Sequence, residues 1–330
     1  MVCHAIKFCT GTCQLFPNAT ATFEEDVVRA RSSVHVRALP PKVNALPAIC
    51  NLPGVKELCD VIFNFANNHL PIDDLDGDYY SPAKTFRGSY WRGADCNDQN
   101  PAYHAGANPI DWDVEEDSNC NGILGTNPTT GVPYEQEYCG SSGARGIAIL
   151  GDSAAAHFHI PPQYFEPLTY GNHTFDDVLP ALEDELDWPL FSWNTGFMNT
   201  SIYDPTISGP VNSTYMYLNS RNRCNHRDFQ NIGVNGARSG DMNSTVKYGL
   251  ARNPATDKPL LAFLALIGND VCNGHADTIS SMTTPEEMYV NTMGTLEYLV
   301  SGSVCLQKLR SILTCVNFRT PFFPLVVTWC

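Results

Sequence analysis

Two short apolar runs, each stopped by a polar turn, mark the second half of the chain. Gly146–Leu150 ends in Gly151-Asp152-Ser153, and Pro259–Ile267 ends in Gly268-Asn269-Asp270. Runs that are apolar without alternation predict strands buried on both faces, as in a parallel sheet covered by helices. Helix signals follow the second run. Thr284 is an N-cap, Pro285 takes the first helical position and Glu287 completes a capping pair. Tyr289, Met293, Leu296 and Val300 then recur at helical spacing. Strand, loop and helix in this order predict an α/β fold with a doubly wound parallel sheet over residues 145–300.

The rest of the chain reads differently. Residues 14–72 hold weak helical patterns near Phe23–Val36 and Val55–Ala66, separated by prolines 40, 41, 47 and 53, which no helix runs through. Residues 73–144 form an irregular segment rich in Gly, Asn and Pro. Its first part, 73–125, carries eleven acids against three bases, with neither helical nor strand periodicity. Residues 301–330 read as a divergent, cysteine-containing apolar tail standing apart from the sheet.

Composition narrows the class. Hydrophobic residues make up 43% and charged residues 17%, which excludes a disordered chain. A net charge of −15 repels phosphate backbones, so nucleic acid is not an expected partner. No apolar run reaches the roughly 18–20 residues a transmembrane helix needs. Thirteen cysteines are scattered without C-x-x-C pairs, which predicts disulfides and a secreted or lysosomal route. Their odd number leaves at least one free or joined to another chain. Sequons at Asn18, Asn172, Asn199, Asn212 and Asn243 agree with that route. Met1-Val2-Cys3-His4 has no basic or apolar leader, so Met1 is read as an internal start.

Ser153 stands where a strand ends and helix-forming Ala154-Ala155-Ala156 begins, the place where α/β sheets carry chemistry. A serine nucleophile also needs donors for a developing oxyanion. Gly236, through its backbone N–H, and Asn269, through its side-chain amide, are the candidates. In the acidic segment, Asp74, Asp76 and Asp78 alternate, and so do Asp117, Asn119 and Asn121, which Gly122 follows. Alternating oxygens of this kind wrap a hard cation, with Tyr80 and Ile123 at the backbone-donor position. Asp95, Asn97, Asp98 and Asp113 are further oxygen donors nearby. A solvated acidic loop explains the same pattern.

The Gly151-Asp152-Ser153, Gly236 and Gly268-Asn269-Asp270 blocks resemble the GDSL/SGNH serine esterases. Longer stretches resemble a lipopolysaccharide-deacylating branch of that family: Trp91–Asp98, Asp117–Gly122, Leu150–Ile160, Glu185–Pro189, Cys224–Asn231 and Ile267–Cys272. The likeness runs from about residue 2 to about residue 300. It implies a three-layer, flavodoxin-like sheet and a serine ester hydrolase that releases secondary fatty acyl chains from lipid A. Ser153 would be the nucleophile, and the Ser153 N–H, the Gly236 N–H and the Asn269 amide the oxyanion hole. The resemblance also implies structural calcium in the acidic segment and a saposin-like subunit, of which residues 1–13 would be a remnant.

The chain departs from the family in one respect. SGNH enzymes carry Asp-x-x-His near the C-terminus, and none of the nine histidines here has an aspartate three residues before it. The expectation is therefore a sheet incomplete at its C-terminal end and little activity for this polypeptide. The alternatives are a non-catalytic, calcium-stabilised lipid-binding chain, or an esterase for phospholipids or acylated sugars.

Overall fold

The computed structural model describes residues 69–171, 178–198, 211–266, 268–272, 279–301 and 325–329. The expected helical patterns before residue 69, the 1–13 remnant and the sequons at Asn18, Asn172 and Asn199 lie outside the described residues.

The fold is built on a small sheet with strand order β2-β1-β3-β4. The strands are β1 (Gly146–Gly151), β2 (Phe229–Asn231), β3 (Leu260–Ala265) and β4 (Leu325–Trp329). β1 is central. It pairs in parallel with β2, Ile147 opposite Phe229, and with β3, Gly146 opposite Leu260 through Gly151 opposite Ala265. All six β1 residues are buried, as the unbroken apolar run predicts.

Successive side chains of β1 point to opposite faces and fill two cores. Ala148 and Leu150 join Leu260, Ala262 and Leu264 of β3 against two helices, α5 (Ser239–Gly249) and α7 (Pro285–Ser301). These contribute Met242 and Val246, and Met293, Leu296 and Leu299. Ile147 and Ile149 face the other way, onto Ala155, Phe229, Phe263 and Tyr215 of α4 (Thr214–Arg221). The sheet thus lies between two layers, the three-layer α/β arrangement of the SGNH family. α7 starts as the sequence predicts. Thr284 N–H donates to Glu287 Oε2 at 2.9 Å, and Glu287 N–H donates back to Thr284 Oγ1 at 3.2 Å.

Two features depart from expectation. The tail does not stand wholly apart, because Leu325–Trp329 adds to β3 as an antiparallel strand, Leu264 opposite Leu325 and Leu260 opposite Trp329. Val326, Val327 and Thr328 are β-branched, which suits a strand, and β3 needs backbone partners on that side. The second departure concerns the acidic segment, which is fastened along the sheet. Residues 91–93 pair antiparallel with the outer edge of β2. Asn231 N–H donates to Trp91 O at 2.7 Å, and Gly93 N–H donates to Phe229 O at 3.0 Å.

Buried polar contacts deepen this attachment. The Tyr80 hydroxyl accepts from Gln230 Nε2 at 2.8 Å and donates to Ala251 O. Arg87 donates to both oxygens of Glu185, at 3.1 and 2.8 Å, and to Gly233 O at 2.8 Å. Trp91 Nε1–H donates to Asp184 at 2.9 Å. A disulfide joins Cys139, the last residue of α1 (Tyr134–Cys139), to Cys224 beside β2.

Candidate active site and cation loops

Ser153 opens α2 (Ser153–Ala156), a single helical turn directly after β1. Asp152 caps it, its carboxylate accepting Ala154 N–H at 2.9 Å. Burial, first, and then the nearby Asp270 charge push the Asp152 carboxyl above its ordinary range. One turn has little stability of its own, so outside groups must hold it. Ser192 Oγ and Asn231 Nδ2 both donate to Ala155 O at 2.8 Å. Gly151 is needed where strand meets helix, since a Cβ there would lie 2.3 Å from the Ala155 Cβ.

The other two sequence-predicted donors arrive at the same end of the sheet. The loop after β2 is pinned to β1, with Ile232 N–H to Ile149 O at 2.9 Å and Val234 N–H to Gly151 O at 3.0 Å. It then turns through Gly236, whose φ of +78° favours glycine and whose Cβ position faces open space. After β3, α6 (Gly268–Val271) carries Asn269, whose Nδ2 donates to Ala237 O at 3.0 Å. The same nitrogen holds a second N–H. Gly268 abuts the Asp152 carboxylate. Ser153, Gly236 and Asn269 therefore stand on the segments that follow the carboxyl ends of β1, β2 and β3: the first turn of α2, a loop and the first turn of α6.

His157, one turn beyond Ser153, ends α2 in a left-handed conformation. Its ring meets Phe191 edge-on at 6.2 Å, and burial lowers its pKa. It belongs to an aromatic wall with Trp188, which is buried like Phe191. Phe158, Phe165 and Trp193 are exposed.

The acidic segment forms two loops. In the first, Asp74 accepts Gly77 N–H and Tyr79 N–H, at 2.8 and 2.9 Å. Asp76 accepts Asp78 N–H, Asp78 accepts Tyr80 N–H, Asp95 accepts Asn97 N–H and Asp98 accepts Leu75 N–H. Asp74 uses both of its oxygens in this way, whereas Asp76, Asp78 and Asp95 each use one and keep the other free of hydrogen bonds. Oxygens of Asp76, Asp78 and Asp95 lie within 4.8 Å of one another, as do those of Asp74, Asp76 and Asp98. Asp76 Oδ2, Asp78 Oδ2 and Asp95 Oδ2 are buried without a hydrogen-bond partner. Burial, reinforced by neighbouring carboxylates, pushes Asp78 up to about 8 and Asp95 up to about 6. The nearby sulfurs of Cys96 and Cys120 are joined in a disulfide, so the converging side-chain donors are oxygens.

In the second loop, Asp117 accepts Asn121 N–H and Gly122 N–H, and Asn121 accepts Ile123 N–H at 2.7 Å. Asp113 holds Ser118 with one oxygen, while its other oxygen is buried without a partner. Sequence reading missed Glu135, the fully buried residue at the centre of this loop. Asn119 and Asn121 each donate to it at 3.0 Å, and Lys258 Nζ approaches to 3.8 Å. Only its place in the first turn of α1, after Pro133, signals it in the sequence.

The sequons differ in setting. Asn212 is exposed just before α4. Asn243 sits in α5 against Gly294 of α7, its Oδ1 buried, where a glycan would have to part the two helices.

No family model matches the chain. Among curated proteins, it is 42% identical over 307 residues to rabbit (Oryctolagus cuniculus) acyloxyacyl hydrolase. It is 42% identical over 306 residues to the human (Homo sapiens) enzyme and 41% identical to the mouse (Mus musculus) enzyme. Each alignment covers 91% of this chain and 52% of the relative, so the chain spans about half the length of the curated relatives it matches. Identity of this order across nine-tenths of its own length makes the chain similar to the acyloxyacyl hydrolases.

Proposed function

We propose that the chain is a carboxylic ester hydrolase that removes secondary fatty acyl chains from the lipid A of lipopolysaccharide. The meeting of Ser153, Gly236 and Asn269 at one end of a parallel sheet carries this reading. Ser153 Oγ attacks the ester carbonyl and passes its proton to a general base, the role that Asp-x-x-His fills in SGNH enzymes and that no residue of this sequence is assigned. The carbonyl oxygen takes the negative charge and receives hydrogen bonds from the Ser153 and Gly236 N–H groups and the Asn269 amide. Collapse of the intermediate expels the lipid alcohol, which takes up a proton, and leaves the fatty acid on Ser153. Water then repeats the attack and releases the acid.

Calcium is the proposed structural cation of the acidic segment, with a donor set of Asp74, Asp76, Asp78, Asp95, Asn97, Asp98 and the Tyr80 backbone in the first loop and Asp113, Asp117, Asn119, Asn121 and the Ile123 backbone in the second. Hard carboxylate and amide oxygens match calcium chemistry. A secreted or lysosomal location suits the disulfides. A saposin-like subunit is the proposed protein partner.

A second reading rests on one observation: no histidine of the sequence follows an aspartate at the family's spacing. Under it the chain binds lipid without cleaving it. Incubation with lipopolysaccharide bearing labelled acyl chains separates the two. Fatty acid release that falls by a factor of 10³ or more in Ser153→Ala supports hydrolysis. A folded chain that binds lipopolysaccharide and releases nothing overturns hydrolysis in favour of binding.

A further inference from the structure

Asp270 follows the oxyanion candidate Asn269 in α6 and is turned toward the start of α5. It is 1% exposed. Its two oxygens accept Ser239 N–H at 3.1 and 3.0 Å, and Oδ1 also accepts the Ser239 hydroxyl at 2.7 Å. Asn291 of α7 donates to that hydroxyl from behind, at 3.2 Å. Ser239 is the first residue of α5 and lies three positions after Gly236.

The loop bearing Gly236 is therefore fixed at both ends. Its front is held by the bonds of Ile232 and Val234 to β1. Its rear is held by Ser239 on Asp270, with the Asn269 amide on Ala237 O as a strut between them. Gly236 itself has no neighbour against its Cβ position, so its N–H is directed by backbone bonds: a turn bond from Ala237 N–H to Val234 O at 3.0 Å spans it, and the end bonds hold that turn in place. The local cap of α5 leaves this contact to Asp270: Asp241 Oδ2 accepts the Arg238 N–H at 3.1 Å, whereas the Ser239 N–H and hydroxyl both go to Asp270, which ties the start of α5 to α6. The Asp270 carboxylate faces a backbone N–H and a hydroxyl donor. A hydrogen-bonded charge of this kind sits near a forming oxyanion at less electrostatic cost than a free one.

We propose that Asp270 is a positioning residue: through Ser239 it sets the Gly236 loop against Asn269, so that one buried carboxylate aligns two of the three oxyanion donors. The proposal rests on the reading of Ser153 as nucleophile. Removing one oxyanion-hole donor costs about 10²–10³ in kcat, and misalignment costs less.

The test compares the full chain with Asp270→Ala, Asp270→Asn and Ser239→Ala. It measures kcat and KM on a fatty acyl ester and the ¹H–¹⁵N resonances of Gly236 and the Asn269 side chain. Asp270→Ala is expected to lower kcat about 10–100-fold with KM within about twofold, and to shift both resonances. Asp270→Asn keeps one acceptor and Ser239→Ala removes one donor, so both are expected to fall between it and the wild type. Unchanged resonances and kcat in Asp270→Ala overturn the proposal, as does a kcat loss that only tracks the folded fraction. If Asp270→Ala does not fold, Ser239→Ala carries the same criteria. If the wild type shows no turnover, the Ser153 reading fails, and the resonances alone decide whether Asp270 sets the loop.

Discussion

Around β1, ten apolar side chains from β1, β3, α5 and α7, together with Ile232 and Leu250, close on one another with almost no solvent contact. Around Asp76 and Asn119, a stretch of similar standing in the fold has only a four-residue apolar cluster: Tyr80, Ala105, Cys120 and Ala251. Its order comes from side-chain-to-backbone bonds at almost every second residue, from the Cys96–Cys120 disulfide and from carboxylates turned inward on one another. The first region is held by removal of apolar surface from water. The second concentrates like charge, which opposes folding unless something neutralises it. The two are nevertheless joined through paired backbone, Arg87 with Glu185, and Cys139 with Cys224.

Stripping divalent cations with EGTA should break this comparison most sharply. If calcium neutralises the acidic loops, chelation removes about 4 kcal/mol per site at a thousandfold excess of ion over Kd. Cleavage in limited proteolysis should then concentrate between residues 73 and 144. Without an ion, the raised Asp78 and Asp95 pKa values mean that the folded form holds more protons than the unfolded one. Stability should therefore fall as pH rises from about 4 toward about 8. Added calcium should flatten that slope, and a denaturation midpoint indifferent to EGTA at pH 7.5 would end the ion-based account.

The next effect in size concerns the join. Cys139 and Cys224 are 85 residues apart, and Cys224→Ser should cost about 4–5 kcal/mol in urea denaturation through loop entropy alone. If the two halves fold independently, the loss should instead appear as two separated transitions.

The smallest effect tests how poorly a further apolar cluster, Ala181, Trp188, Leu190 and Phe191, tolerates the carboxyl group that precedes Trp188 in the chain. Asp187 is 1% exposed and neither of its oxygens has a hydrogen-bond partner. Burial, with help from Glu185 and Asp184 and against the pull of Arg87, pushes it up to about 8. Its neighbour Glu185 is also pushed up by burial, but the His69 and Arg87 contacts outweigh that and hold it down at about 2. Because the folded-state Asp187 pKa is raised, the fold is weakened progressively from about pH 4 to about pH 8. Asp187→Asn should remove that slope and gain about 3–4 kcal/mol more at pH 8 than at pH 5. Equal gains at both values would show that Asp187 stays neutral throughout.

Legibility in the sequence followed the range of each interaction. Gly151-Asp152-Ser153 and Thr284-Pro285-Glu286-Glu287 are local: a strand end, a cap and a reciprocal bond within three residues, and both lie where the pattern put them. The alternating acids were legible as loops for the same reason, since each carboxylate caps a backbone N–H close by in sequence. β2 was not legible. Phe229-Gln230-Asn231 is short and two-thirds polar, and its burial depends on partners as distant as Tyr80 and Ala251. Glu135 was missed because its partners lie 14 and 16 residues away. Leu325–Trp329 carries an apolar strand pattern, but its antiparallel direction is set by the free side of β3 rather than by its own residues.

The pairing of residues 91–93 with β2 has a consequence for solubility. A three-residue strand with bare N–H and C=O groups on one side is a template for a strand from another molecule. Here Trp91, Arg92 and Gly93 occupy that side, and they belong to the chain's most acidic stretch. The loops that gather carboxylates also keep a guard strand in place. Any condition that loosens them uncovers Phe229–Asn231 and invites edge-to-edge self-association. Ion-poor storage would then show itself first as turbidity, before any loss of helical signal.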